Sequence, residues 1–483
     1  MGIPEEAMSG EYPAREENKI ETLVDGERAF DEIFSAVMSA KTRVWLTMSF
    51  ADINCKVPVV NGETGKSIID ILTQVSGKGV DVRVLAWRSD TRGDFQGDRL
   101  EREKLRYSQC KAKFRWDVKP VGCHHQKTFI IDSNIAFVGG INMEQAYMDN
   151  KAHNREKIQA THDLFCKIEG PSARDVAHNF VQRWNGFSER GQRNGSFPGE
   201  KDVGDLEMPK EEDFTPQSGG VKSQITRTIP EEVYDSIPYG EFGIRESYLN
   251  AIMAATDFIY IENQYFFEEE THHSVIRELV KAAYRGVKVF LLVPGWPDKS
   301  RVLSFEYLNE VKDHPNIYVY TLATSAKKLE EWEYNEVYIH AKLFIVDDEW
   351  LSIGSANISL QSLRTDSEMN VAVWSPDHAK KLRLELWEEH LEYEKNKDDP
   401  NYKVIFDGKE MGPKFEQWWH ISRENRYYRE TGSGAKSRVF PLDLSTYRLF
   451  RMLSLDTDEK LSEAKKGAVG VMGAIIEKVN KIL

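Results

Sequence analysis

Two stretches of this chain carry the same five chemically able or conformationally special residues at the same spacing. In GCHHQKTFIIDSNIAFVGGIN, residues 122–142, His125, Lys127, Asp132, Gly139 and Asn142 stand at offsets 0, 2, 7, 14 and 17. In VYIHAKLFIVDDEWLSIGSAN, residues 337–357, His340, Lys342, Asp347, Gly354 and Asn357 repeat those offsets. Alternate side chains of a β-strand share a face, so each His-x-Lys pair aims an imidazole and an ammonium at one spot, about 7 Å apart along the chain. A turn and a return strand carry the Asn back beside them. Gly139-Gly140 and Gly354-Ser355 then let backbone amides approach an anion that bulkier side chains would keep away.

One such set is a weak anion site, but two facing each other surround a tetrahedral anion with two His, two Lys and two Asn. That grouping suits phosphoryl transfer. Lys127, Lys342, Asn142 and Asn357 stabilise charge on the equatorial oxygens, one imidazole attacks phosphorus, and the other protonates the leaving oxygen. The scheme needs no metal and no cofactor. Each ring must be held in one tautomer by an outside group, and each half supplies a carboxylate for this in equivalent segments: Asp163 in HDLFCKIEG and Glu368 in SEMNVAVWS, 38 and 28 residues after the histidine of its half. Asp132 and Asp347 fall an odd step from the histidine and read as partners of a turn or a basic side chain. His124, His162 and the His272-His273 pair have no repeat partner in a chemical setting and read as structural or surface residues.

The repeat extends into the elements that must position these groups. AKTRVWLTMSF at 40–50 precedes ATDFIYIENQYF by the same 215 residues that separate His125 from His340, which marks a duplicated domain. GKGVDVRVLAW and YRGVKVFLLVPGW read as buried strands, and SIIDILTQVSGKG and HSVIRELVKAAYRG as amphipathic helices. The fold class expected is α/β: a duplicated bilobal α/β/α/β/α sandwich with two mixed sheets and the active site where the halves meet. The Gly- and Pro-rich, charged stretch 188–220 reads as a linker or surface loop. The domains expected are therefore residues 1–205 and 206–400, one motif in each, and an extension at 401–483. The apolar stripe of that extension, from Leu461 to Ile482, predicts an amphipathic helix packed on the body or lying on a membrane.

Composition is that of an ordinary globular chain, with 40% hydrophobic and 29% charged among 483 residues. A net charge of −14 argues against a nucleic-acid partner. The acidic N-terminus lacks the apolar core of a signal peptide, and no apolar run is long enough to span a bilayer. Cys55, Cys110, Cys123 and Cys166 show no CxxC spacing and suit reduced thiols. The expected location is cytoplasmic and peripheral at membranes. Composition says nothing of oligomeric state.

HHQKTFIIDSNIAFVGGIN and YIHAKLFIVDDEWLSIGSAN resemble the two HxKxxxxD motifs of the phospholipase D superfamily. IYIENQYF, HDLFCKIEGPSARDVAHNFVQRWN and SQITRT resemble its phospholipases proper, of the plant and eukaryotic kind. The resemblance covers roughly residues 20–400. It implies a shared central site, a phosphohistidine intermediate, His125 as nucleophile and His340 as general acid and later base. It also implies a phospholipid membrane surface as substrate, water or an alcohol as acceptor, and thus both hydrolysis of phosphatidylcholine and transphosphatidylation. Trp87, Trp332 and Tyr334 are aromatic candidates to cradle a choline ammonium. The chain departs from the larger eukaryotic enzymes in having too short an N-terminus for a C2 or PX-PH module. It also has Asn142 where plant enzymes usually carry an acidic residue. Two alternatives stand beside this reading: another phosphodiesterase of the superfamily, acting on nucleic acid or making cardiolipin, and an inactive scaffold that binds anionic lipid.

Overall fold

A computed structural model describes residues 12–49, 55–57, 65–89, 110–119, 122–155, 159–186, 205–210, 219–234, 236–267, 274–295, 308, 311–406 and 415–442. The amphipathic tail, His272-His273 and most of the expected linker lie outside them. The first half runs β1 (Arg15–Val24), α1 (Gly26–Ser39), β2 (Arg43–Met48), α2 (Ile68–Gly77), β3 (Asp81–Ser89), β4 (Lys113–Lys119), β5 (Lys127–Ile131), β6 (Ile135–Gly139), β7 (Thr161–His162), β8 (Leu164–Glu169) and α3 (Ser172–Gly186). The second half follows with β9 (Val221–Ile229), β10 (Glu241–Phe242), α4 (Gly243–Ala254), β11 (Phe258–Asn263), β12 (Phe266–Phe267), α5 (Val275–Tyr284), β13 (Lys288–Leu292), β14 (Ile317–Lys328), β15 (Glu331–Ile339), β16 (Lys342–Val346), β17 (Trp350–Gly354), β18 (Ile358–Ser359), β19 (Glu368–Trp374) and α6 (Pro376–His390). Beyond it lie α7 (Tyr393–Asn396), α8 (Pro400–Phe406), α9 (Phe415–Glu430) and β20 (Val439–Pro441).

The duplication is complete at the level of the sheets. The first has strand order β1-β8-β6-β5-β2-β3-β4, parallel only at β2-β3 and β3-β4. The second repeats it as β9-β19-β17-β16-β11-β13-β14, parallel only at β11-β13 and β13-β14. Both sheets are mixed, as expected, and β1 also pairs with β9, so the edge strands of the halves meet.

Helices cover both outer faces and the space between the sheets. Phe30, Ile33 and Leu72 of α1 and α2 pack on the outside of the first sheet, and Ile244, Tyr248 and Leu279 of α4 and α5 on the outside of the second. The segments read as helices do so for local reasons. Ser67 and Asp70 form a reciprocal capping box at the start of α2, and Ser274 accepts from the Arg277 amide at the start of α5. The middle layer is one apolar cluster joining Trp45, Ile130, Val138, Phe180 and Trp184 of the first half to Tyr260, Phe290, Leu343, Leu386 and Trp387 of the second. Trp45 stacks on Phe180 with ring centroids 5.2 Å apart.

The stretch from 401 is not a separate unit in its described part. Tyr402, Trp418 and Ile421 lie in the central cluster, and β20 extends the second sheet by pairing with β14. The boundary was suggested by the change in composition at DDPNYKVIFDGKEM, which begins near Asp398. None of the four cysteines forms a disulfide.

Candidate active site

Each motif histidine stands just before its strand, held by main-chain bonds from the opposite half. The His125 amide donates to the Ser367 carbonyl at 2.9 Å, and the His340 amide donates to the His162 carbonyl at 2.8 Å. β7 pairs with the end of β15 in parallel, and a bridge joins His124 to Ser367. Segments 161–162 and 366–367 are thus equivalent straps, each fastening the other half's histidine.

The carboxylates follow the same crossed pattern. His125 Nδ1 lies 3.0 Å from both oxygens of Glu368, and His340 Nδ1 lies 2.5 Å from Asp163 Oδ2. The sequence left open which carboxylate holds which ring; in the structure Glu368 lies against the first histidine and Asp163 against the second.

Gly140 and Ser355 occupy equivalent positions and are used differently from the backbone cradle expected. A Cβ on Gly140 would stand 2.5 Å from Asp163 Oδ1, so the glycine makes room for that carboxylate. Ser355 instead donates its hydroxyl to Glu368 Oε2, and its carbonyl oxygen lies 3.2 Å from His125 Nδ1. These two positions serve the carboxylates.

The lysines begin β5 and β16 and are buried. Lys127 Nζ donates to Ser49 Oγ at 3.0 Å and to the His125 carbonyl at 2.7 Å. Lys342 Nζ donates to Gln264 Oε1 at 3.0 Å and to the His340 carbonyl. Ser49 and Gln264 were missed by sequence reasoning, although they sit 215 residues apart at the ends of the two quoted strands, where the repeat offset would have found them. Asn142 and Asn357 are buried with their Oδ1 atoms unpartnered. Tyr147 and Tyr338 flank the His340 ring at centroid distances of 4.8 and 5.8 Å. Of the aromatics singled out earlier, Trp332 covers Gly434 and Tyr334 packs on Phe440, while Trp87 is buried one residue beyond the Met48–Ala86 pairing of β2 and β3.

Asp132 and Asp347 face away from the histidines, as their odd step requires. Asp132 accepts from the amides of Lys41, Thr42 and Arg43 and from the Thr42 hydroxyl, pinning the entry to β2. Asp347 does the same for Thr256, Asp257 and Phe258 at the entry to β11. Both adopt positive φ, 51° and 53°, in the turns between paired strands.

Burial dominates the electrostatics. It pushes His125 down against the pull of Glu368, and His340 well down with help from Lys342 and Lys127. Burial also lowers Lys127 to about 8 and Lys342 to about 7, although Glu368 and Asp163 oppose it, and raises Asp163 to about 7. Lys127 adds to the lowering of Lys342, and a bound phosphate anion would relieve both buried ammoniums. The pair Asp163–His340 holds a proton near neutrality that can leave through His340 Nε2, while Glu368 leaves His125 Nε2 free to attack.

Fold and site together define a phospholipase D-like enzyme. A family profile described as "Cardiolipin synthase, PLD-like domain" matches residues 33–184 and 248–389, more than half of the chain, and one described as "Phospholipase D" matches residues 156–278. The chain therefore belongs to the cardiolipin synthase-like, PLD-like domain family of the phospholipase D superfamily. Among curated relatives it is 25% identical to cardiolipin synthase 1 of Staphylococcus epidermidis over 83% of this chain and 73% of that protein. It is 24% identical to a cardiolipin synthase of Staphylococcus aureus over 76% of this chain and 66% of that protein. The crystal structure of phosphatidylserine synthase from Haemophilus influenzae shares the fold, with a TM-score of 0.52 at 14% identity, covering 88% of this chain and 97% of that one. The closer likeness to plant and eukaryotic phospholipases is not supported, since these relatives are cardiolipin synthases. Among the described residues, no helix is long and apolar enough to cross a membrane.

Proposed function

We propose that the chain is a phosphatidyltransferase that moves the phosphatidyl group of a glycerophospholipid onto an alcohol, with a lipid hydroxyl such as that of phosphatidylglycerol as the favoured acceptor and water as a competitor. His125 Nε2 attacks phosphorus and forms a phosphohistidine. The bond to the head-group alcohol breaks as its oxygen takes the proton from His340 Nε2. His340 then removes the proton of the incoming hydroxyl, whose oxygen displaces His125 and restores the resting protonation. Lys127, Lys342, Asn142 and Asn357 hold the equatorial oxygens.

The observation that carries this reading is the crossed arrangement, in which each imidazole is tied through Nδ1 to a carboxylate of the other half. It supports one ring attacking and one donating on opposite sides of a shared anion. The choice of a lipid acceptor draws support from the relatives, whose names are those of cardiolipin synthases. The phosphatidylcholine hydrolysis expected earlier has no such support.

The test is lipid turnover on vesicles of phosphatidylglycerol and, separately, phosphatidylcholine with added ethanol. Cardiolipin and free glycerol from the first, abolished in His125→Ala and His340→Ala, support the proposal. Choline and phosphatidic acid from the second, with no cardiolipin from the first, return the chain to hydrolysis. No product from either lipid overturns a phospholipid substrate.

A further inference from the structure

A second constellation of ionisable side chains lies directly behind His340 and takes no part in the chemistry above. It comprises Asp25 before α1, Asp149 and His153 in the loop leading to β7, His162 in β7, Glu262 in β11, and Glu389 and His390 at the end of α6, all buried. His162 places Nδ1 2.9 Å from Asp25 Oδ1 and 3.4 Å from Glu389 Oε1. His153 places Nε2 3.2 Å from Glu389 Oε1 and 3.9 Å from Asp25 Oδ2. One nitrogen from each ring and one carboxylate group from each acid thus converge on a single point.

Three features set this apart from a plain buried ion-pair network. First, each ring turns its remaining nitrogen to a different carboxylate: His153 Nδ1 is 2.7 Å from Asp149 Oδ2, and His162 Nε2 is 2.8 Å from Glu262 Oε2. A histidine that binds a metal through one nitrogen almost always gives the other to a carboxylate or carbonyl, which fixes the tautomer and raises the ligand's basicity. Second, a tetrahedral ion with bonds of about 2.0–2.1 Å has edges of about 3.3–3.4 Å, and the four separations above scatter around that length. Third, Asp25 Oδ2 is buried without a hydrogen-bond partner and points into the cluster. Among the described residues, the carboxylates of Asp25, Asp149, Glu262 and Glu389 meet histidines, hydroxyls and backbone amides, while Arg438 reaches the main-chain carbonyls of Glu389 and Ala152 at the edge of the cluster. Asp25 is moreover held at φ 62°, ψ 159°, a backbone region that only glycine occupies freely.

We infer that Asp25, His153, His162 and Glu389 bind a divalent transition-metal ion, zinc by its donor set of two imidazoles and two carboxylates. His153 and His162 bind as neutral rings, so each releases the proton on the nitrogen facing the ion and keeps the one shared with Asp149 or Glu262. Three ligands come from the first half and Glu389 from the second, so the ion pins the halves together. It also sits one residue from the proton donor: the Asp25 amide donates to the Asp163 carbonyl at 2.9 Å, and the His162 carbonyl accepts from His340 and Ala341. Its role is to position the Asp163–His340 pair.

The test is metal content of the full chain, expressed in zinc-supplemented medium and purified without a metal-affinity step. About one zinc per chain is expected for a closed structural site, with a chelator lowering the melting temperature and zinc restoring it. Glu389→Gln and His153→Gln should lower zinc occupancy at least tenfold in protein that stays folded by circular dichroism. His125→Ala and His390→Gln should retain the ion, since neither supplies a ligand. A wild-type chain without stoichiometric metal, both as purified and after dialysis against zinc, overturns the inference. So does zinc that stays in Glu389→Gln and His153→Gln, or that leaves with His125→Ala. Metal content is read without a lipid substrate, so failure of the phosphatidyltransferase reading leaves this result untouched.

Discussion

His340 Nδ1 and Asp163 Oδ2 lie 2.5 Å apart, although the two residues belong to different halves of the duplication. The mirror relationship joins His125 to Glu368. Neither half holds a complete set of histidine and orienting carboxylate, so the duplication has been turned into an obligate interface.

That pairing fixes the direction of the pH dependence. Burial raises Asp163 to about 7 and lowers Lys342 to about 7, so both the proton carried by the Asp163–His340 pair and the Lys342 charge are present below that pH and are lost above it. We expect kcat/KM to fall as pH rises through about 7–8. Burial holds His125 below its usual value, so the nucleophile stays neutral, and the rate does not fall, as pH drops through about 6.5. A profile that rises between pH 7 and 9 would contradict the assignment.

Gly140→Ala places a methyl group 2.5 Å from the Asp163 carboxylate and should move it out of line with His340. The expected loss in kcat is about 10²-fold, since a displacement of about 1 Å can do that much. Ser355→Ala, at the equivalent position, removes a hydrogen bond to Glu368 without a clash and should lower kcat less. Steady-state kinetics of the two variants against one substrate decide the order.

The lysines should trade stability for function. Lys342 has its folded pKa lowered from 10.5 to about 7, so the folded chain releases that proton before the unfolded chain does, and stability rises with pH between those values. At pH 7, Lys342→Met should be inactive yet more stable, by about 1–4 kcal/mol, in denaturant unfolding. A phosphate analogue such as vanadate should raise the melting temperature of the wild type and not of this variant. Loss of stability in Lys342→Met would show that its hydrogen bonds outweigh its desolvation.

Asp132 and Asp347 should matter to folding more than to turnover. Each accepts from three consecutive amides and a hydroxyl at the entry to a central strand. Asp132→Ala and Asp347→Ala should each destabilise by about 2–4 kcal/mol, by leaving amide donors unpaired, with kcat of the folded fraction nearly kept. Equal stability with a large fall in kcat would place these carboxylates in the chemistry instead.

Sequence alone determined the duplication, the strands that carry His-x-Lys and the α/β class, because strand periodicity and a constant 215-residue offset are local, repeating signals. The same offset also contained Ser49 and Gln264 for anyone who followed it to the strand ends. Only the tertiary structure decided that the carboxylates cross over, that Gly140 and Ser355 support them, that Tyr147 and Tyr338 rather than Trp332 or Tyr334 face His340, and that Tyr402, Phe415, Trp418, Ile421 and Val439 belong to the core. It also brought Asp25, His153, His162 and Glu389 together from four separate segments. The physical reason is common to all of these. Spacing along a strand tells which face a side chain takes, but which strand end lies opposite depends on how two sheets pack, and that is set by the whole buried surface between them.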